Sequence, residues 1–391
     1  MRGPFLALVA LVSCLGAAEH KPVTTTLMYL VNRPDSIESF RAHAGKISII
    51  APQTFSMDAE GFVMGEVPPE VMRIAAEHRV AVTPLVVNRG FNQPLMHTVL
   101  DAPESRARVI RYLIYYALRD GYQGFQFDYE NIHYTYRDKF TVFFREAARE
   151  FHKHGLEISA AIVGRLDDTR DSNSPGGYDN WSGAYDYHEM GKVADFISVM
   201  AYAEHGATAD PGPVAGLPWV TAIANYSAST IPAAKISLGV PFYGMRWETT
   251  EPLPDPEVAR AAQDLFQRAG ATGAARRSWR GRSARYTDAA AAMANTQPVW
   301  DEREKSPHLS FDNNGRRTEL WFENARSLEI KLRLAHDMGF RGISCWVMGQ
   351  EDPAFWDVLD AWQVRHPRQP LAAGLLDQRS KRAARMLRVK P

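Results

Sequence analysis

The chain is expected to fold as an α/β protein, a closed (β/α)8 barrel of the TIM type with a small α+β insertion between its seventh and eighth strands. Three observations predict this. Eight short apolar runs recur along the chain, each bounded by turn residues or charge and most separated by a stretch with helical patterning. No glycine-rich phosphate loop follows the first run, which argues against the runner-up, an open doubly wound sheet. One connecting stretch, 245–317, is far too long for a strand-to-helix loop and must carry structure of its own.

The strand candidates are 24–30, 46–51, 80–87, 123–129, 156–163, 195–202, 235–242 and 341–348. Between the first two, Asp35-Ser36-Ile37-Glu38 reads as a helix start. Pro68-Pro69-Glu70 opens the next helix, with proline near the first turn, where its missing N–H costs nothing. Over 106–120, Val109, Ile110, Leu113 and Ala117 fall on one face at helical spacing. Over 137–153, Phe140, Phe143, Phe144, Ala147, Ala148 and Phe151 do the same, and Gly155 ends the helix. Leu328, Leu332 and Ala335 mark a helix over 326–338. Within the insertion, 265–274 and 289–293 read as helical pieces on either side of an arginine-rich segment around 276–285.

With 391 residues, 45% hydrophobic and 23% charged, the composition is that of an ordinary globular protein. The formal net charge is zero, so no overall field points to nucleic acid as a partner. Residues 1–18 have the form of an export signal: Arg2, a short apolar run from Phe5 to Val12, then Gly16-Ala17-Ala18. That run is too short for a permanent transmembrane helix, and no other segment reads as one. Leu11-Val12-Ser13-Cys14 resembles a bacterial lipoprotein box, so the exported chain is either soluble in the periplasm or beyond, or tethered to the envelope through Cys14. Cys345 is the other cysteine and lies in an apolar run, as a buried structural thiol would. The catalytic body is expected over 24–365. The tail, 366–391, carries Arg379, Lys381, Arg382, Arg385, Arg388 and Lys390; it reads as a solvated, flexible basic segment, or as one weakly drawn to an anionic surface.

The most informative stretch is Gly124-Phe125-Gln126-Phe127-Asp128-Tyr129-Glu130-Asn131. Aromatic and polar residues alternate with period two, which places Gln126, Asp128 and Glu130 on one face of a strand. The two carboxylates sit on Cα atoms roughly 6.6 Å apart. A half-exposed strand with a polar outer face would give the same pattern, and spacing alone leaves both readings open. In a parallel barrel, however, active sites form at the C-terminal ends of the strands. Those ends collect Asp128, Tyr129 and Glu130, then Met200-Ala201-Tyr202, Gly239-Val240-Pro241-Phe242-Tyr243-Gly244, and Cys345-Trp346. Aromatic platforms beside paired carboxylates suit a sugar ring, whose C–H faces stack on rings while an acid protonates the linkage.

On these motifs the chain resembles glycoside hydrolase family 18, the chitinase family, over about 24–364. The family's strand-four hallmark is Asp-Gly-x-Asp-x-Asp-x-Glu; here Gln123 and Gln126 replace the first two aspartates, while Asp128 and Glu130 match. The strand-six, strand-seven and strand-eight segments look like the family's own. Trp321-Phe322-Glu323-Asn324-Ala325-Arg326-Ser327 and Gly349-Gln350-Glu351-Asp352-Pro353 are similar to its bacterial cell-wall and spore-cortex branch. The resemblance implies a substrate-assisted, retaining cleavage of N-acetylglucosamine glycans such as chitin oligomers or peptidoglycan, with no cofactor and no metal. It implies Glu130 as general acid and then base, Asp128 as the group that orients the substrate acetamide, and Tyr202 as a donor to the acetamide oxygen. Trp346 would be the floor beneath the sugar, with Gln126, Tyr243 and Met200 as further substrate-binding residues.

Two departures from the family pattern bear on the site. Gln126 can hydrogen-bond Asp128 but cannot repel it, so Asp128 is expected to stay ionised to lower pH than its family counterpart. Ala203 stands where the family often has aspartate, leaving Glu204 or His205 to substitute, or that contact to be absent. His205 beside Glu204 has no further ligand spaced for a metal site. Trp181, Tyr185 and Tyr187 fall in the long loop after strand five and either line a sugar groove or pack within the loop. The alternative function is a catalytically silent, lectin-like glycan-binding barrel; such relatives typically lack the glutamate that Glu130 supplies here.

Overall fold

A computed structural model of the chain describes residues 25–170, 177–251 and 278–366. Eight parallel strands close into a barrel: β1 (Thr25–Leu30), β2 (Ile49–Met57), β3 (Leu85–Asn88), β4 (Gly124–Asp128), β5 (Glu157–Val163), β6 (Phe196–Met200), β7 (Ile236–Pro241) and β8 (Gly342–Trp346). Each pairs with its sequence neighbours, and β1 closes the ring by pairing with both β2 and β8. The expected fold class is therefore the one found, and the α+β insertion lies between β7 and β8. The segments 1–18, with Cys14, and 265–274 lie outside the described residues, as does the basic tail beyond His366.

The helices form where their apolar faces predict. In helix Pro103–Asp120, Val109, Ile110, Leu113 and Ala117 are all buried. In helix Arg137–Lys153 the buried face includes Phe140, Phe143, Phe144, Ala147, Ala148 and Phe151. Phe127 of β4 packs against three of these rings, with centroids 5.4 Å from Phe143, 5.7 Å from Phe144 and 6.4 Å from Phe151. The alternation read from sequence thus has a definite sense: Phe125, Phe127 and Tyr129 join the layer between barrel and helices, while Gln126 and Asp128 belong to the barrel interior. Gly124 starts the strand because nothing larger fits; a Cβ there would lie 1.7 Å from the Glu157 carbonyl oxygen on β5.

Two strands depart from their expected limits, each at a proline. The 46–51 candidate stops at Pro52, yet β2 continues to Met57 through a bulge between Gln53 and Phe55. The 80–87 candidate divides into Ala81–Val82 and β3, on either side of Pro84.

The insertion is a five-stranded antiparallel sheet in the order Trp279–Arg285, Tyr243–Thr249, Arg316–Trp321, Ser306–Asn313 and Val299–Asp301, with helix Tyr286–Met293 against it. Its strands reach Tyr243 and Trp321, a little outside the 245–317 stretch. One side packs Met245 and Trp247 onto Val214 and Tyr202 at the barrel mouth; the other forms a small core of Ala284, Ala289, Leu309, Leu320 and Phe322.

The segments 321–327 and 349–353 join this lobe to the barrel. Asn324 caps helix Ala325–Asp337, and Asp352 accepts from the Ala325 N–H at 2.9 Å. Glu323 and Lys331 form an ion pair at 2.8 Å with both side chains only 1% exposed. Burial raises the Glu323 pKa, and Lys331 opposes that rise. Removing the lysine strands a buried carboxylate, so Lys331→Met is expected to destabilise by about 3–5 kcal/mol at neutral pH. With its folded pKa raised further above the unfolded value, Glu323 then costs stability as pH rises through that window. Urea unfolding should accordingly find the variant's deficit larger at neutral than at mildly acidic pH; an equal deficit at both would contradict a stranded charge.

Candidate active site

The C-terminal end of β4 is held from both flanks. On one side Asn88, the last residue of β3, donates to the Glu130 carbonyl at 2.7 Å and accepts from the Glu130 N–H at 3.0 Å. On the other, the buried Tyr185 hydroxyl donates to the Tyr129 carbonyl at 2.8 Å. Asn131 turns the chain away at φ 54°, its amide donating to the Phe91 carbonyl at 2.9 Å. Asparagine tolerates this left-handed conformation better than most residues. The main chain from 129 to 131 is therefore fixed by hydrogen bonds before any substrate arrives.

Asp128 is 3% exposed. Burial pushes its carboxyl up to about 6, and the Gln53 amide, donating to Oδ2 at 3.4 Å, pulls the other way. Burial also pushes Glu130 well above the usual glutamate range, and the charge of Asp128 adds to the rise. The two environments make one arrangement favourable near neutral pH: Asp128 ionised and Glu130 carrying the proton.

A cleft of about 470 Å³ opens over these carboxylates, and Asp128, Glu130, Met200, Tyr202, Tyr243 and Trp346 all line it. Six of the seven residues singled out from sequence thus converge. Tyr202 and Tyr243 meet edge to face with centroids 6.2 Å apart, and Trp346 leans on Tyr29 at 5.4 Å. Phe91 and Trp181, from the loops after β3 and β5, meet edge to face at 5.6 Å and form one wall. Larger hollows lie between helices on the outer wall of the barrel, away from the strand ends.

Gln126 is the exception, and its place corrects two expectations. It is fully buried and does not line the cleft. Its amide donates to Ser198 at 3.1 Å rather than to Asp128, and Ser198, Ser344 and Ser237 continue a polar chain across the barrel at 2.8 and 2.5 Å. Strand rise explains this: two residues before Asp128, Gln126 sits a layer lower in the barrel, beneath the cleft floor. Gln53 is the amide that reaches Asp128.

Sequence reasoning also missed Gln53, Tyr29, Phe91 and Trp219 among the lining residues. Gln53 lies beyond the 46–51 strand candidate; a polar residue after an apolar run is the available signal. Of the loop aromatics, Trp181 lines the cleft, whereas Tyr185 and Tyr187 are buried, the Tyr187 hydroxyl donating to the Val163 carbonyl at 2.6 Å. Ala203 lines the cleft at φ 68°. Neither neighbour replaces it there: Glu204 accepts from the Gly216 N–H at 2.7 Å, and the His205 ring faces the Asp210 carbonyl at 2.9 Å. Among the described residues, no three His, Cys, Asp or Glu side chains gather in a way that could hold a metal ion.

The same architecture and sequence recur in known proteins. The family model described as "Glycosyl hydrolases family 18" matches residues 66–351. The chain is 23% identical over 360 residues to an uncharacterized glycosylase, YvbX, of Bacillus subtilis, covering 90% of this chain and 96% of that protein. It is 29% identical over 273 residues to the cortical fragment-lytic enzyme of Bacillus subtilis, covering 70% of this chain but only 57% of that enzyme. A chitinase from Chromobacterium violaceum shares the fold with a TM-score of 0.72 at 24% identity, over 86% of this chain and 98% of that one. The family model spans well over half of the chain and brackets both carboxylates, the strand-six, strand-seven and strand-eight segments, and the lobe: the chain belongs to glycosyl hydrolases family 18.

Proposed function

We propose that this glycoside hydrolase cleaves β-1,4-linked N-acetylglucosamine glycans with retention of configuration, using the substrate's own acetamide as nucleophile. The observation that carries the proposal is the carboxylate pair: Asp128, buried at the end of β4, and Glu130, two residues beyond it, both facing an aromatic cleft, with pKa values raised so that one keeps a proton near neutral pH. In this reading Glu130 protonates the bridging oxygen, and the acetamide carbonyl attacks the anomeric carbon as the bond breaks. Asp128, ionised, holds the acetamide N–H and steadies the positive charge of the oxazolinium that results. Glu130, now deprotonated, takes a proton from the water that opens the ring. Tyr202, its hydroxyl kept neutral by burial, donates to the acetamide oxygen. Trp346 offers its face to the sugar ring, with Tyr243 and Met200 beside it. Chitin oligomers and peptidoglycan both supply the required acetamide; the likeness to a cortical fragment-lytic enzyme supports peptidoglycan.

The alternative, a silent glycan-binding barrel, is favoured by no observation of comparable weight. Turnover of a chromogenic chitobioside and of a peptidoglycan preparation separates the two. Glu130→Gln should lower kcat by about 10²–10⁴-fold with little change in KM. Binding without turnover by the unaltered chain would leave only the alternative.

The pH profile tests the pair. Activity requires Asp128 ionised and Glu130 protonated, so the rate should fall below about pH 6 as Asp128 gains a proton, and again at higher pH as Glu130 loses its own. The Gln53 hydrogen bond favours the ionised form of Asp128. Gln53→Leu should therefore raise that pKa and move the acidic limb to higher pH while the alkaline limb moves less. An unmoved acidic limb would show that Gln53 does not tune the carboxylate.

We also propose export, directed by residues 1–18, with the chain either free in the periplasm or medium or tethered through Cys14. Among the described residues no helix is long and apolar enough to cross a membrane. Cell fractionation of a tagged full-length chain and of Cys14→Ala distinguishes the two: release from the membrane fraction by the substitution indicates a lipid anchor, and a cytoplasmic location of both would refute export.

A further inference from the structure

The lobe between β7 and β8 has a second hollow, of about 420 Å³, which shares no lining residue with the cleft. It is lined by Arg246, Arg280, Arg282 and Arg316, with Glu248 as its one carboxylate. The sheet register brings these charges together. Arg246 stands directly opposite Arg282, and Glu248 directly opposite Arg280, on adjacent antiparallel strands. Opposed residues share a face of the sheet, and like charges placed so are destabilising. Trp247, between them in sequence, points the other way, into the packing at the barrel mouth. The arginine face is thus the side of the lobe sheet turned away from Trp247.

Among the described residues, charge on this face is only partly balanced. Glu248 is bound by Arg246, at 3.1 Å to Nε and 2.5 Å to Nη2. Arg316 spends Nη1 on the carbonyls of Thr249 and Thr250. The side chains of Arg280 and Arg282 have no hydrogen-bond or ion-pair partner among the described residues, and both are exposed. Arg246 is held in place, its side chain only 17% exposed and its guanidinium 5.6 Å from the centre of the Phe311 ring. Two anchored guanidinium groups beside two unpaired ones leave a positive hollow in which, among the described residues, Glu248 offsets only one of four charges.

We propose that this hollow binds phosphate groups, and so forms a site, separate from the cleft, for a phosphate-bearing polymer. Guanidinium groups recognise oxyanions through paired N–H donors. A carboxylate has two oxygens in one plane and meets donors mainly in that plane. A phosphate spreads its oxygens in three dimensions and can accept from several arginines that converge from two strands, as Arg246, Arg280 and Arg282 do. Because the hollow and the cleft have no residue in common, the site does not depend on the hydrolase mechanism proposed above, and occupancy of one leaves the other open.

Calorimetric titration of the full chain with short-chain polyphosphate, and with inorganic phosphate, tests this directly. The unaltered protein should show saturable binding that weakens as sodium chloride is raised. Arg282→Glu should weaken it at least about tenfold, and Arg282→Lys, which keeps charge but loses the fork, should fall between. Arg303→Glu, the same charge change on an exposed turn of the same lobe, should leave binding unaltered. Turnover of a short chromogenic glycoside should be the same in Arg282→Glu as in the parent, which also reports that the variant is folded. Absence of saturable binding in the parent, or equal weakening by Arg282→Glu and Arg303→Glu, would overturn the proposal; the former outcome leaves the cleft chemistry untouched.

Discussion

Two carboxyl groups two residues apart, at and just beyond the end of one buried strand, govern the rest of this structure. Desolvation favours the neutral form of each, and their mutual repulsion makes simultaneous ionisation costlier still. A barrel interior that tolerates them must offer hydrogen bonds to one and a shielded opening to the other. Gln53 from β2 supplies the first, and the aromatic mouth supplies the second. Packing on the outer side of the same strand, where Phe127 meets three rings of one helix, holds the strand rigid enough for those demands to be met at fixed positions.

The barrel was legible because its signals are local and repeated. Eight apolar runs and several one-sided helices need only period and spacing to be recognised, and both survive in the fold. The limits that differ lie beside Pro52 and Pro84: β2 runs on past Pro52 with a bulge between Gln53 and Phe55, and pairing breaks around Pro84. Period two correctly gave the side on which Gln126 lies, but it carries no information about depth along the barrel axis, and depth decides whether a side chain meets solvent or a serine. Phe91 comes from a loop with no periodicity and Trp219 from the first turn of helix Leu217–Thr230, so no strand-end pattern marked either. The segments 321–327 and 349–353, quoted for their likeness to a family branch, turn out to hold a buried ion pair and a helix start: their chemistry is that of a joint between lobe and barrel.

The inserted sheet has two unlike faces because its strand Tyr243–Thr249 alternates large apolar and charged residues. Met245 and Trp247 settle onto the barrel mouth, and Arg246 and Glu248 are left on the reverse. One strand thereby serves both the wall of the cleft and a charged outer surface, so the lobe cannot shift against the barrel without disturbing Tyr243 at the cleft edge.

Asn88 grips Glu130 by its peptide groups alone, donating to the carbonyl and accepting from the amide. The anchor thus ends at the Cα atom, and the three side-chain torsions beyond it remain available. An acid so mounted resembles a lever on a fixed pivot: it can fold toward its neighbour to share charge, or swing outward to deliver hydrogen, without any loop having to move.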